Sequence, residues 1–182
     1  MSRIPTPSSI DTSPAAAQPL LAAVKGQLGA VPNMFRLIGT SPAALEGYLG
    51  LGGALGKGRL DAKTRGRIAL VVAEENGCGY CLAAHTALGK NLKLDDAELD
   101  MNRDGRSSDP RAEAALVFAR ALVRERGHVG DEAVLAVRAA GYDDAQVVEI
   151  ILHVALNTLT NYVNTALATE VDFPPVAPRA AR

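Results

Sequence analysis

Tryptophan is absent from this chain, and aromatic residues make up only 4% of it. A core without rings has to be built from aliphatic side chains, and hydrophobic residues, many of them alanine, leucine and valine, supply 48%. Alanine and leucine are the strongest helix formers, so the composition points to an all-α fold closed by small-residue packing. A basic surplus is also missing: 19 Lys and Arg stand against 20 Asp and Glu, for a net charge of −1. That leaves nothing to neutralise phosphates and excludes nucleic acid as an expected partner. No apolar run reaches the roughly 18 residues that span a bilayer, so no membrane is expected. The start of the chain lacks a charged-then-apolar leader, and the expected compartment is the cytoplasm. Cysteine is scarce too, with two in 182 residues. In a reducing compartment such a pair is expected to be redox-active or metal-binding rather than a structural disulfide.

What is present reads as one helical domain between two extended ends. Residues 1–18, with Pro5, Pro7 and Pro14, read as an extended arm ordered by packing on another subunit. Residues 19–173 form the domain, and 174–182, within "DFPPVAPRAAR", a tail. Pro19 to Leu28 is expected as a short helix closed by Gly29, and "VPNMF" as a turn. Ser41-Pro42, Asp61, Asp95, Asp109-Pro110, Asp131 and Asp143 or Asp144 each read as a helix start. Shifting the chain by 82 residues lays "IALVVAEENGCGYCLAA" over "IILHVALNTLTNYVNTA", with Leu70/Leu152, Ala73/Ala155 and Tyr80/Tyr162 among the identities. The overlay suggests a duplicated helical hairpin of which only the first copy keeps thiols.

The chemistry gathers in "NGCGYCLAAH". Asn76-Gly77 stops one helix, so Cys78 opens the next, where unpaired N–H groups and the dipole favour a thiolate. Cys81 follows in the first turn on the same face, close enough for a disulfide, and His85 lies one turn further on. An imidazole there can take a thiol proton or pair with a thiolate. Glu74, four residues before Cys78, sits where a carboxylate opposes the helix dipole, which marks it as a candidate proton carrier. Zinc is the other use of such thiols, but structural zinc takes four ligands and no further cysteine exists. Tyr80 reads as a packing residue, His128 as a loop histidine and His153 as a core histidine with a place near the site as the alternative. Asn157, Thr160, Asn161 and Asn164 have helical spacing and line either a pocket or a subunit contact.

"LDAKTRGRIALVVAEENGCGYCLAAHTALGK" at 60–90, with "VPNMF", "GRSSDP" and "HVALNTLTNYVNTALATEVDFP", resembles the carboxymuconolactone decarboxylase / alkyl hydroperoxidase D superfamily. The resemblance spans about residues 19–176. It implies an all-α fold built on a repeated helical hairpin, in homo-oligomers that are often trimers or hexamers. It also implies a peroxidase that uses no cofactor: Cys81 attacks a hydroperoxide, Cys78 resolves the sulfenic acid, and His85 relays protons. An external dithiol then reduces the disulfide. The family's glutamate, twelve residues before the first cysteine, falls on Gly66, and Glu74 is the expected substitute. The alternatives are a lyase like the family's decarboxylases and a non-enzymatic redox-sensing or zinc-binding module.

Overall fold

A computed structural model describes residues 2–179. Among them the chain is helical throughout, without strands. A 3₁₀ turn at Ala15–Ala17 leads into α1 (Gln18–Leu28), α2 (Asn33–Ile38), α3 (Pro42–Leu55), α4 (Ala62–Glu75) and α5 (Gly79–Asn91). Then follow α6 (Asp96–Arg103), α7 (Pro110–Arg124), α8 (Asp131–Ala139) and α9 (Asp144–Leu167). The caps explain the starts. Ser41, Asp61, Asp95, Asp109 and Asp143 each accept a backbone N–H of their helix's first turn, and Asp143 completes a capping box with Gln146. Gly29, at φ 77°, closes α1.

α4 is the hub. Arg67 through Ala73 are buried without interruption, as a helix enclosed on all sides requires. One side packs Ile68, Val71 and Val72 against Leu116, Phe118 and Ile150 of α7 and α9. The other packs Leu70 and Ala73 against Leu21, Leu45, Leu82 and both cysteines. Leu70→Ala would open a cavity at a cost of about 2–5 kcal/mol. The buried Arg67 charge is met by Glu98 at 2.8 Å, whose oxygens also accept from Ser107, Ser108 and Asn102.

Three expectations need correction. "VPNMF" is not a bare turn, because Asn33 starts α2: its N–H donates to Asp172 at 2.7 Å. The N-terminal arm is held by its own chain, with Arg3 N and Nη1 each 2.7 Å from the Leu167 and Ala166 carbonyls at the end of α9. Third, residues 150–166 form no second hairpin, since Leu159 stands where Gly77 turns the chain and α9 runs straight through. Of the tail, 180–182 lie outside the described residues.

Candidate active site

The dithiol is positioned by the turn between α4 and α5. Gly77 takes φ 63°, a left-handed value that costs glycine nothing. Its N–H reaches the Glu74 carbonyl at 3.0 Å and the next N–H, of Cys78, reaches the Ala73 carbonyl at 2.9 Å. This paired closure ends α4 and leaves Cys78 as the N-cap of α5, its sulfur accepting the Cys81 N–H at 3.3 Å. The two sulfurs are 2.7 Å apart and hydrogen-bonded. A disulfide needs only about 0.7 Å further approach. Both residues are buried, at 1% and 2% exposure.

The thiols are not equivalent. The hydrogen bond from Cys81 pulls the Cys78 pKa from 9.0 down to about 7 against the opposing effect of burial, with backbone N–H groups adding to it. Cys81 is pushed well above the ordinary thiol range by donating that bond and by burial. Cys78 therefore holds the charge and Cys81 the proton. Access runs the other way. Cys81, not Cys78, lines a cavity of about 470 Å³ walled by Met34, Phe35, Tyr48, Tyr80 and Phe173.

α9 supplies donors to Cys81. Asn164 Nδ2 lies 3.3 Å from its sulfur. Asn76 Nδ2 donates to Asn161 Oδ1 at 2.9 Å, leaving Asn161 Nδ2 without a hydrogen-bond partner and near the same sulfur. Both amides favour a thiolate on Cys81. The question left open by the α9 polar series is thereby answered: Asn157, Thr160, Asn161 and Asn164 are all buried and face inward.

His85 lines the Cys81 cavity, although among the described residues no hydrogen bond joins its ring to either sulfur. Burial pushes its pKa down to about 4, so it is neutral near pH 7 and can pass a proton on without storing one. Tyr48, which the sequence reading missed, lines the same cavity. Its pKa is pushed up to about 12, chiefly by burial, which keeps its O–H as a donor. It belongs to α3, and only tertiary packing brings it to this cavity. Tyr80 is structural. It donates to Asp172 at 2.8 Å, accepts the Met34 N–H at 3.2 Å and meets the Phe173 ring edge-on. His128 is exposed, and His153 is buried beside a second cavity.

Glu74 is not brought to the thiols. Its Oε2 accepts Arg103 Nε and its Oε1 the Arg179 N–H, each at 2.6 Å, and it does not line the Cys81 cavity. The carboxylate that the sequence offered as a proton carrier instead clasps the C-terminal strap. That strap crosses the start of α5, so a Cβ on Gly79 would lie 3.6 Å from Pro178. No three His, Cys, Asp or Glu side chains converge among the described residues, and no helix there is long and apolar enough to cross a membrane.

Residues 42–125, α3 through α7 with the dithiol turn between them, match the carboxymuconolactone decarboxylase family. No curated protein matches the sequence. Among solved structures, an uncharacterized peroxidase-related protein from Silicibacter sp. TM1040 is 25% identical. The match covers 97% of this chain and 92% of that one, with a TM-score of 0.81. The alkylhydroperoxidase AhpD core of an uncharacterized peroxidase-related protein from Ralstonia eutropha JMP134 shares the fold at TM-score 0.84, with 23% identity over 94% and 92% of the two chains. The debrominase Bmp8, as a Cys-to-Ala variant in complex with 2,3,4-tribromopyrrole, does so at TM-score 0.80, with 20% identity over 94% of each chain. The family match across the dithiol turn, together with an all-helical fold shared nearly end to end, supports a place in the carboxymuconolactone decarboxylase / alkyl hydroperoxidase D-like superfamily.

Proposed function

We propose that the chain is a thiol-dependent peroxidase that reduces organic hydroperoxides through a Cys78–Cys81 dithiol/disulfide cycle. One observation carries this reading: two buried thiols in contact, of which Cys81 alone lines an apolar cavity. As a hydroperoxide enters, the Cys81 proton passes to Cys78 and the Cys81 thiolate attacks the terminal peroxide oxygen. The O–O bond breaks, and the alkoxide leaves as an alcohol with a proton supplied through Tyr48 or His85. Asn164 and Asn161 steady the Cys81 charge. Cys78 then attacks the Cys81 sulfenic acid sulfur, and hydroxide departs as water. One hydroperoxide and two thiols give one alcohol, one water and one disulfide, and an external dithiol restores the pair. No cofactor enters the cycle.

The reduced protein mixed with cumene hydroperoxide should lose two thiols per peroxide. Cys81→Ser should abolish consumption, while Cys78→Ser should stop after one turnover with a sulfenic acid at Cys81. A sulfenic acid at Cys78 would reverse the assignment. The ring-lined cavity favours one second reading, removal of bromine from a small aromatic ring, the activity for which the debrominase Bmp8 is named. There the Cys81 thiolate takes the halogen as a sulfenyl bromide, the ring gains a proton in its place, and attack by Cys78 forms the disulfide and expels bromide. Bromide release from tribromopyrrole without peroxide consumption would select it.

We propose further that the chain assembles as a homo-oligomer. On α9, Val148, Leu152, Leu159 and Tyr162 are 56%, 39%, 43% and 64% exposed, and Ala155 and Ala166 complete the alternating four-and-three spacing. That is the seam of a helix packed on another helix, and no Asp, Glu, Lys or Arg interrupts it between residues 150 and 168.

A further inference from the structure

Behind the thiol cavity is a second one, of about 400 Å³, between α3, α4, α5 and α9. His85 and Tyr48 line both and so stand between them. The floor of the second cavity is Gly66, which has no side chain to project into it. His153 lines it with an exposure of only 6%, and its Nε2 is buried without a hydrogen-bond partner. A buried polar nitrogen left unpaired is destabilising, so it calls for a partner from outside the chain.

The remaining polar groups say what kind of partner. Arg65 lines the same cavity and commits Nη1 to the Leu60 carbonyl at 2.6 Å, with a weaker contact to Gly56 at 3.5 Å. Its other N–H groups have no partner among the described residues. Its charge acts on His153 strongly enough to add to the lowering that burial imposes there. The residues lining the cavity include no aspartate or glutamate. The nearest carboxylate acting on His153 is Glu149, and its oxygens are held by the Arg59 and Leu60 N–H groups at 2.8–2.9 Å. A guanidinium and a neutral imidazole N–H, with no anion to receive them, match a planar carboxylate.

We propose that this second cavity binds a small organic carboxylate between Arg65 and His153, in contact with His85. The carboxylate oxygens accept from the Arg65 guanidinium and from His153 Nε2–H, and the organic part lies against Leu88, Leu92 and Leu156. Bound there, the ligand gives the His85 ring the carboxylate partner that no side chain of this chain provides. The site is defined by binding and stands whether or not the peroxidase reading does.

The chain has three histidines, so imidazole NMR resolves the test. Sodium acetate and sodium benzoate are titrated into the reduced full-length protein at constant ionic strength, with chloride as the reference anion. The expected result is a saturable shift of the His153 and His85 ring resonances, with exposed His128 unmoved. Arg65→Gln should weaken binding about tenfold. Gly66→Glu, which tethers a carboxylate in the cavity, should abolish it. In that variant Leu92 must yield, because its Cδ1 lies 3.0 Å from the new Cβ. Should Gly66→Glu fail to fold, Arg65→Gln and His153→Phe carry the same test. Equal, non-saturating movement of all three histidines, or saturable binding that Arg65→Gln leaves intact, would overturn the proposal.

Discussion

Deleting the Cys81 sulfur tests how the dithiol is activated. The bond from Cys81 is the largest influence holding Cys78 at about 7 instead of 9.0, ahead of the backbone N–H groups of Cys81 and Tyr80. At a pKa of about 7, roughly half of the molecules carry a thiolate at pH 7, whereas at 9.0 about one in a hundred does. Thiolate absorbance near 240 nm in the reduced wild type should therefore show one step near pH 7. In Cys81→Ala that step should move to pH 9 or above, since burial still opposes the charge. In Cys78→Ala the remaining thiol should also titrate above pH 9, kept there by burial against the pull of Asn164 and Asn161. The same displacement appears in stability. Between pH 7 and 9 the folded state has lost the Cys78 proton and the unfolded chain has not, so stability rises with pH and is lost as pH falls through 7. The span is about 3 kcal/mol. Above pH 9 the trend reverses, because the folded state keeps the Cys81 proton that the unfolded chain gives up. A step that stays near pH 7 in Cys81→Ala would refute the reasoning, leaving the start of α5 alone as the source of the acidity.

Glu74→Gln should leave peroxide consumption within about threefold of wild type while lowering stability by roughly 1–3 kcal/mol, because it removes a buried charge from Arg103; chemical denaturation and limited proteolysis of the strap check both. Ala84→Leu, which adds bulk to the Cys81 cavity, should slow cumene hydroperoxide at least tenfold and spare hydrogen peroxide. Equal loss with both substrates would show that the cavity does not select organic substrates. Light scattering should give a mass above the 19.0 kDa of one chain, and Leu159→Glu with Tyr162→Glu should bring it down to that value.

The legible part of this protein was its local part. Helix starts depend on a capping side chain and the few residues after it, so Ser41, Asp61, Asp95, Asp109 and Asp143 could be read directly and do cap as expected. The Asn76-Gly77 break could be read for the same reason, and with it the placing of Cys78 at the start of α5. α2 was missed because its start depends on Asp172, 139 residues away in sequence. The same distinction divides the site. Cys78 and Cys81 touch because they sit three residues apart on one helical turn. Tyr48, Asn161 and Asn164 reach them from α3 and α9. Spacing on α9 revealed that its polar residues share a face, but only the packing of α9 against α4 and α5 decides which way that face looks.

Glu74 illustrates the opposite error. Nearness in sequence suggested a proton carrier, yet a carboxylate at a helix end goes to the strongest cation that tertiary packing supplies, and here that is Arg103. With both oxygens engaged at 2.6 Å and no place in the lining of the Cys81 cavity, Glu74 holds the strap rather than serving the thiols. Gly66, which looked like a gap in the chemistry, borders a cavity containing an unpaired histidine nitrogen and an arginine with N–H groups to spare. In the proposed cycle the groups beside Cys81 that can carry a proton are the neutral Tyr48 and His85 of the cavity wall, or the carboxylate proposed for the second cavity.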